Sequence, residues 1–273
     1  MRSTFWKKIE IEWEPSFLRL FRFSKCLKPM LAFFLNRTQG APFSFSLFRE
    51  CGYPDKQHVR WIIKDLLDHS RQWEEVFIRV EPEVFNLNHL RNAKGHLPLL
   101  KRLEITSTTM GLEPLVHPSF AGIFKDAPLL THVVLEDLCG WEFDWTSLTI
   151  LNIGRQTNIY ESLTILQKPV NLVELTFSDV FLYRNVEHMG ISGLMIRLPH
   201  LECLSIVGMP ILTILDTPAL RRLEIQVNGY RDEVVPYVTK ADNMVEFLCR
   251  SRLKPTSVEN TSDNKVLLHL STF

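Results

Sequence analysis

The chain has 273 residues and no net formal charge, with 31 basic and 31 acidic side chains. Hydrophobic residues make up 45% of it and charged residues 23%, a composition that excludes an intrinsically disordered chain and allows a sizeable core. Because the charges balance, the chain lacks the basic footprint of a dedicated nucleic-acid-binding protein, and we expect no nucleic acid partner.

Residues 1–40 are rich in Phe and Leu but carry eight basic and three acidic residues. Charge at this density excludes a membrane span, and no cleavage site for a signal peptide follows. We interpret the segment as a helical lead-in that caps the N-terminus, with Arg and Lys heads in water. The local excess of five positive charges also allows contact with an anionic membrane surface.

One phrase, a Pro or another turn residue followed by Leu-x-x-Leu-x-Ile, recurs along the rest of the chain. Its six clear copies begin at Pro98, Pro128, Trp145, Pro169, Pro199 and Pro218. The last apolar positions alternate with period two, so both side chains point to one face of a short strand. We expect Pro to hold the chain extended where it enters the strand. One such strand cannot bury its apolar face alone, whereas parallel stacking of many gives a continuous core.

Weaker copies and candidate helices fill the intervals between these phrases. The first apolar positions are 18 to 33 residues apart, which is irregular for leucine-rich repeats of 20–29 residues. We predict an opening strand at residues 43–47, a further copy at 73–78 and a poor copy at 253–258 that closes the array. Apolar stripes predict helices over 55–69, 157–167 and 241–252. The expected fold is α/β: an irregular leucine-rich-repeat solenoid over residues 41–273, with a parallel concave sheet and helices and loops on its convex side.

The repeated phrases resemble the degenerate leucine-rich-repeat region of fungal F-box proteins. Further matches are Phe5-Trp6-Lys-Lys-Ile9, His69-Ser-Arg-Gln-Trp73, Lys94-Gly-His-Leu-Pro98 and Phe247-Leu-Cys-Arg-Ser251. The resemblance implies the substrate-recognition part of an F-box subunit of a cullin-type ubiquitin ligase. The F-box itself should precede Phe5-Trp6, and we expect it to be missing. A ubiquitin-ligase adaptor is therefore a partner only if an F-box is supplied upstream.

No pattern of catalytic residues stands out, and we expect neither an enzyme nor a cofactor. Phosphate-binding glycine loops and His-Glu-x-x-His are absent from the sequence, and its five cysteines are scattered without a Cys-x-x-Cys pair. Scattered thiols without a secretory signal favour an intracellular location, cytoplasmic or nuclear. Glu142 and Asp144, which alternate with Trp141 and Trp145, suggest either a sugar site or a packed connection with its acids in water. The second interpretation is the simpler one.

The x residues of the repeated phrases predict the binding surface, since they should line the concave wall. Positive charge is expected at both ends, acidic residues between them and an apolar centre near Val134, Ile150 and Val173. An apolar centre inside a charged rim is typical of a protein-binding patch. The candidate residues are Lys101, Arg102, His132, Val134, Ile150, Asn152, Glu174, Glu202, Arg221 and Arg222. We therefore predict a protein-interaction module, and as the alternative an F-box-less scaffold or regulatory protein with no link to ubiquitin ligation.

Overall fold

A computed structural model of the chain describes eleven of its stretches. They are residues 7–13, 23–49, 56–79, 87–106, 122–136, 141–154, 163–177, 194–207, 210–226, 237–261 and 265–272. Within them the chain is mixed α/β, with mostly parallel strands and few helices, as the sequence predicted at this level. It divides into a first unit, residues 1–136 with 140–147, and a second unit, residues 137–139 with 148–273.

The described residues of the first unit form five parallel strands that pair in chain order, and two α-helices. The elements are β1 (Lys8–Trp13), α1 (Phe23–Thr38), β2 (Phe43–Arg49), α2 (Lys56–Leu67), β3 (Trp73–Arg79), β4 (Arg102–Thr106) and β5 (His132–Leu135). The predicted strands at residues 43–47 and 73–78 and the predicted helix over 55–69 are confirmed.

The strand β1 corrects the prediction for the N-terminal lead-in. Its sequence alternates, so that Ile9 and Ile11 are buried while Lys8 and Glu10 are exposed. It pairs in parallel with β2, with Ile9 opposite Phe45. The helical part of the expected lead-in is confirmed as α1, but the sheet begins ahead of it, and the strand expected to open the array is the second one.

Four of the five prolines before the strands lie in tight turns, not in the extended entry that the sequence suggested. The amide of Leu100 donates to the carbonyl of Leu97 across Pro98, with an N···O distance of 3.4 Å. The fixed φ of proline suits the second position of such a turn. Its missing backbone N–H costs nothing there, because the turn does not use that donor. The same bond closes the turns from Ala127 to Leu130, from Leu198 to Leu201 and from Thr217 to Leu220.

The second unit combines parallel strands with a C-terminal hairpin. The elements are β6 (Ile150–Ile153), β7 (Glu174–Phe177), β8 (Ile196–Arg197), β9 (Cys203–Val207), β10 (Leu215–Asp216), β11 (Arg222–Gln226), α3 (Tyr237–Ser251), β12 (Leu253–Thr261) and β13 (Lys265–Thr272). The main strand order is β6-β7-β9-β11-β13-β12, while β8 and β10 form a separate parallel pair. The helix predicted over 241–252 is confirmed as α3, and of the one predicted over 157–167 the described helical part is residues 163–165.

The end of the second unit differs from the expected closing repeat. The poor copy at 253–258 does form a strand, β12, but it is antiparallel to β13, which lies between β12 and β11. Two strands close together in sequence pair antiparallel because a parallel pair needs a long crossover connection. Leu268 of β13 consequently continues the buried row of the parallel strands, opposite Leu223 of β11.

Apolar rows fill the buried face of each sheet. In the first unit Val76, Leu103 and Val133 lie side by side and are 0% exposed. Helix α2 packs at this face, because the indole nitrogen of the buried Trp73 donates to the carbonyl of Leu66 at 3.1 Å. The residues that alternate with the buried ones form what we call the outer face of each unit.

Candidate interaction surface

Hydrogen bonds at the strand entries set the register of the outer face. In the first unit the carbonyl of Lys101 accepts the amides of both Thr131 and His132, at 3.0 and 3.1 Å. In the second unit the carbonyl of Val173 accepts the amides of Glu202 and Cys203, at 2.8 and 3.0 Å. One carbonyl that accepts two successive amides fixes each strand against the previous one. Outer-face side chains therefore lie in continuous rows.

Three predicted site residues lie at the strand entries and not on the outer face of a strand. Lys101, Glu202 and Arg221 each lie one residue before β4, β9 and β11 begin. Side chains alternate along a strand, so two successive x residues cannot both point to its outer face. The exposed Lys101 forms an ion pair with Glu74 at 2.7 Å, and this hydrogen bond raises the pKa of Lys101.

The outer face of the first unit has two rows that contain predicted residues. One row runs Glu75, Arg102, His132, and the next runs Phe77, Glu104, Val134. The sequence prediction thus correctly placed Arg102, His132 and Val134 on one face. It missed Glu75 and Phe77, although the same alternation in the phrase at 73–78 points to both.

Arg102 joins the two rows of the first unit. Its guanidinium carbon is 5.0 Å from the centroid of the Phe77 ring, and its Nη2 is 3.4 Å from a Glu104 oxygen. Its Nε is buried and has no hydrogen-bond partner among the described residues. An aromatic ring and an arginine in contact are the side-chain types that most often dominate binding energy at protein interfaces.

His132 lies beside Arg102 and is half-buried. Burial, and to a smaller extent the positive charge of Arg102, lower the pKa of His132 from 6.5 to about 4. The imidazole is therefore neutral at physiological pH, and the positive charge of this patch comes from Arg102.

The outer face of the second unit also has two rows. One runs Ile150, Glu174, Cys203, Arg222, and is continued by His269 of β13. Burial raises the pKa of the half-buried Cys203 thiol, while the nearby Arg222 opposes this shift. The second row runs Asn152, Thr176, Ser205, Glu224. The sequence prediction missed His269 because the hairpin that brings it there carries no repeated phrase.

The predicted apolar centre combines residues from both units. Val134 belongs to the first unit, and Ile150 and Val173 belong to the second. Each unit instead has its own mixed rows: the first holds an arginine–aromatic contact, and the second has the exposed Arg222, with Cys203 between it and Glu174.

The acidic pair between tryptophans lies on a packed connection of the first unit, which confirms the simpler interpretation. Trp141 and Trp145 are buried with Phe143, whose ring centroid is 5.8 Å from that of Trp141 and 5.1 Å from that of Trp145. Glu142 and Asp144 are exposed, and Glu142 pairs with Lys125 at 3.8 Å.

The described residues contain no group of three or more His, Cys, Asp or Glu placed to hold a metal ion. None of the helices they form has the length and apolar character needed to cross a bilayer. No protein-family model matches the sequence, and no curated protein is similar enough to count as a relative.

Proposed function

We propose that the chain is a protein-interaction module that binds its partner through the outer faces of its parallel strands. The observation that carries the proposal is the continuous register of the outer-face rows, in which Arg102 contacts Phe77 and Arg222 lies in line with Glu174. Such rows present side chains at fixed spacing on a rigid scaffold. Mixed charge around an aromatic side chain is typical of surfaces that bind proteins.

The resemblance to the repeat region of F-box proteins supports a finer proposal for the partner. The chain would bind an intracellular protein substrate in the cytoplasm or nucleus and would carry no catalytic centre of its own. Transfer of this substrate to a cullin-type ubiquitin ligase would need an F-box. The alternative is a leucine-rich-repeat scaffold or regulatory protein that never meets the ligase.

Affinity purification of the full chain followed by mass spectrometry tests the proposal. The informative variant is Arg222→Glu, because Arg222 is exposed on the outer face of β11. Lys254→Glu is the matched control, since it reverses one exposed charge in the same unit away from the parallel strands. We expect a partner that the native chain and the control retain and that Arg222→Glu loses. Equal recovery with all three proteins would argue against binding through this face.

The ligase part of the proposal needs a separate measurement. Purified adaptor of a cullin-type ligase is passed over the immobilised chain, with and without an F-box fused to its N-terminus. Binding only with the fused F-box supports the recognition-subunit interpretation if the captured substrate is then ubiquitinated. Partner binding without substrate ubiquitination by the fused chain favours the scaffold alternative.

A further inference from the structure

Helix α1 buries one side and exposes another that is apolar. Leu27, Leu31 and Leu35, four residues apart, are 8%, 2% and 3% exposed and pack into the first unit. Met30 and Phe33, on the other side, are each 50% exposed. This exposed side belongs to α1 itself and is distinct from the outer-face rows.

Basic residues share the exposed part of α1 with these two apolar side chains. Lys28 and Arg37 are exposed, and the guanidinium carbon of Arg37 is 4.4 Å from the centroid of the Phe33 ring. Helix α1 contains three basic residues and no acidic one. Helix α2, which packs against α1, contains three basic residues and one acidic residue. The two helices thus carry a net charge of +5 in a chain whose net charge is zero.

A basic helix with exposed apolar side chains fits one kind of surface best. Anionic lipid headgroups attract the basic residues, while the acyl boundary accepts Met30 and Phe33. A nucleic acid would satisfy the charges but would leave these two side chains without an apolar environment. We propose that α1 docks the protein onto anionic membrane surfaces, with Phe33 and Met30 inserted and Lys28 and Arg37 at the headgroups.

Vesicle co-sedimentation of the full chain tests this proposal. The probes are phosphatidylcholine vesicles with and without phosphatidylserine. We expect binding only to vesicles that contain phosphatidylserine. Raising the salt from about 0.1 M to about 1 M shortens the screening length from about 10 to about 3 Å and should release the protein. Each basic residue near such a surface strengthens binding about fivefold, so Lys28→Glu with Arg37→Glu should weaken it at least about 25-fold.

Two variants separate lipid docking from other charge-driven binding. Met30→Ser with Phe33→Ser leaves the charge unchanged and should weaken vesicle binding about tenfold, because it removes inserted apolar area. Lys168→Glu reverses an exposed charge in the second unit and should bind vesicles like the native chain. Circular dichroism of each variant confirms that its fold is intact.

Three outcomes would overturn the proposal. One is equal binding to both kinds of vesicle, or to neither. Another is unchanged vesicle binding by the Met30 and Phe33 double variant. The third is binding of a DNA duplex as tight as vesicle binding and unaffected by that double variant, which would assign the basic helices to nucleic acid.

Discussion

Arg102 of β4 contacts Phe77 of β3, with 5.0 Å between the guanidinium carbon and the ring centroid. The same side chain leaves its buried Nε without a partner among the described residues. Arg102 therefore combines a favourable contact with the ring and an unsatisfied donor, which costs about 1–3 kcal/mol. Such a combination is expected of a residue retained for binding and not for stability.

The first prediction uses Arg102→Met, which removes the unsatisfied donor and the guanidinium contacts with Phe77 and Glu104 but keeps an unbranched side chain at this position. We expect the free energy of unfolding to stay within about 1 kcal/mol of the native value or to rise. Partner binding should fall, since the charge is lost. Urea denaturation measures the first quantity and affinity capture the second. A loss of stability above about 3 kcal/mol would show that the arginine is structural.

His132 provides a prediction for pH dependence. Its pKa is about 4 in the folded chain and 6.5 ordinarily, so the unfolded chain binds a proton more readily. The contribution of His132 to stability is present above pH 6.5 and is lost as the pH falls from 6.5 towards 4. Because the side chain is half-buried, we discount this contribution to about 1–2 kcal/mol.

The variant His132→Gln isolates this contribution, because glutamine does not titrate and other groups remain unchanged. Urea denaturation of both proteins is compared at neutral and mildly acidic pH. We expect the native chain to lose more stability than the variant on acidification. Identical losses would contradict the assignment of the lowered pKa to His132.

Ser251 connects the end of α3 to the turn before β11. Its hydroxyl oxygen accepts the amide of Thr217 at 3.1 Å, and both residues are 0% exposed. Ser251→Ala leaves that amide buried without an acceptor, so we expect a loss of about 1–3 kcal/mol in chemical denaturation. Ser257→Ala, an exposed position in the same unit, should change stability little. If both variants lose equal stability, the hydrogen bond is not the cause.

Removal of the Thr217 hydroxyl should have the opposite effect on stability from removal of the Ser251 hydroxyl. Its hydroxyl oxygen is buried and has no hydrogen-bond partner among the described residues. Thr217→Val has nearly the same shape and removes this unsatisfied group, so we expect an unchanged or higher unfolding free energy, by about 1 kcal/mol. Thermal and urea unfolding measure the difference. A clear loss of stability would mean that the hydroxyl is satisfied in solution.

The two described cysteines of the second unit should differ in reactivity. Cys203 is half-buried with a raised pKa, which lowers the thiolate fraction, whereas Cys249 is exposed. We expect iodoacetamide to modify Cys249 faster than Cys203 in the native protein, as followed by peptide mass spectrometry. In denaturant the two rates should converge. Faster modification of Cys203 in the folded chain would contradict its burial.

Some residues of the candidate surface could be predicted from the sequence, and others could not. Alternation within each phrase predicted that Arg102, His132 and Val134 share a face, and their register confirms it. The same alternation excludes Lys101 from that face, a consequence that the phrase-by-phrase prediction overlooked. His269 reaches the second unit's outer row only because β13 pairs antiparallel with β11. No repeated phrase in the sequence predicts this pairing.

The sequence by itself determined the elements that depend on local periodicity. Period-two phrases gave the parallel strands, and period-3.6 stripes gave α2 and α3, because apolar spacing decides which face each element can bury. The tertiary structure alone decided the pairing of β1 with β2, the insertion of β13 beside β11 and the contact of Arg102 with Phe77. Each of these depends on contacts between residues distant in sequence, whose partners no local pattern specifies. The repeated strands and part of their outer face could thus be predicted from the sequence, whereas the residues that reach that face through distant pairings, such as His269, could not.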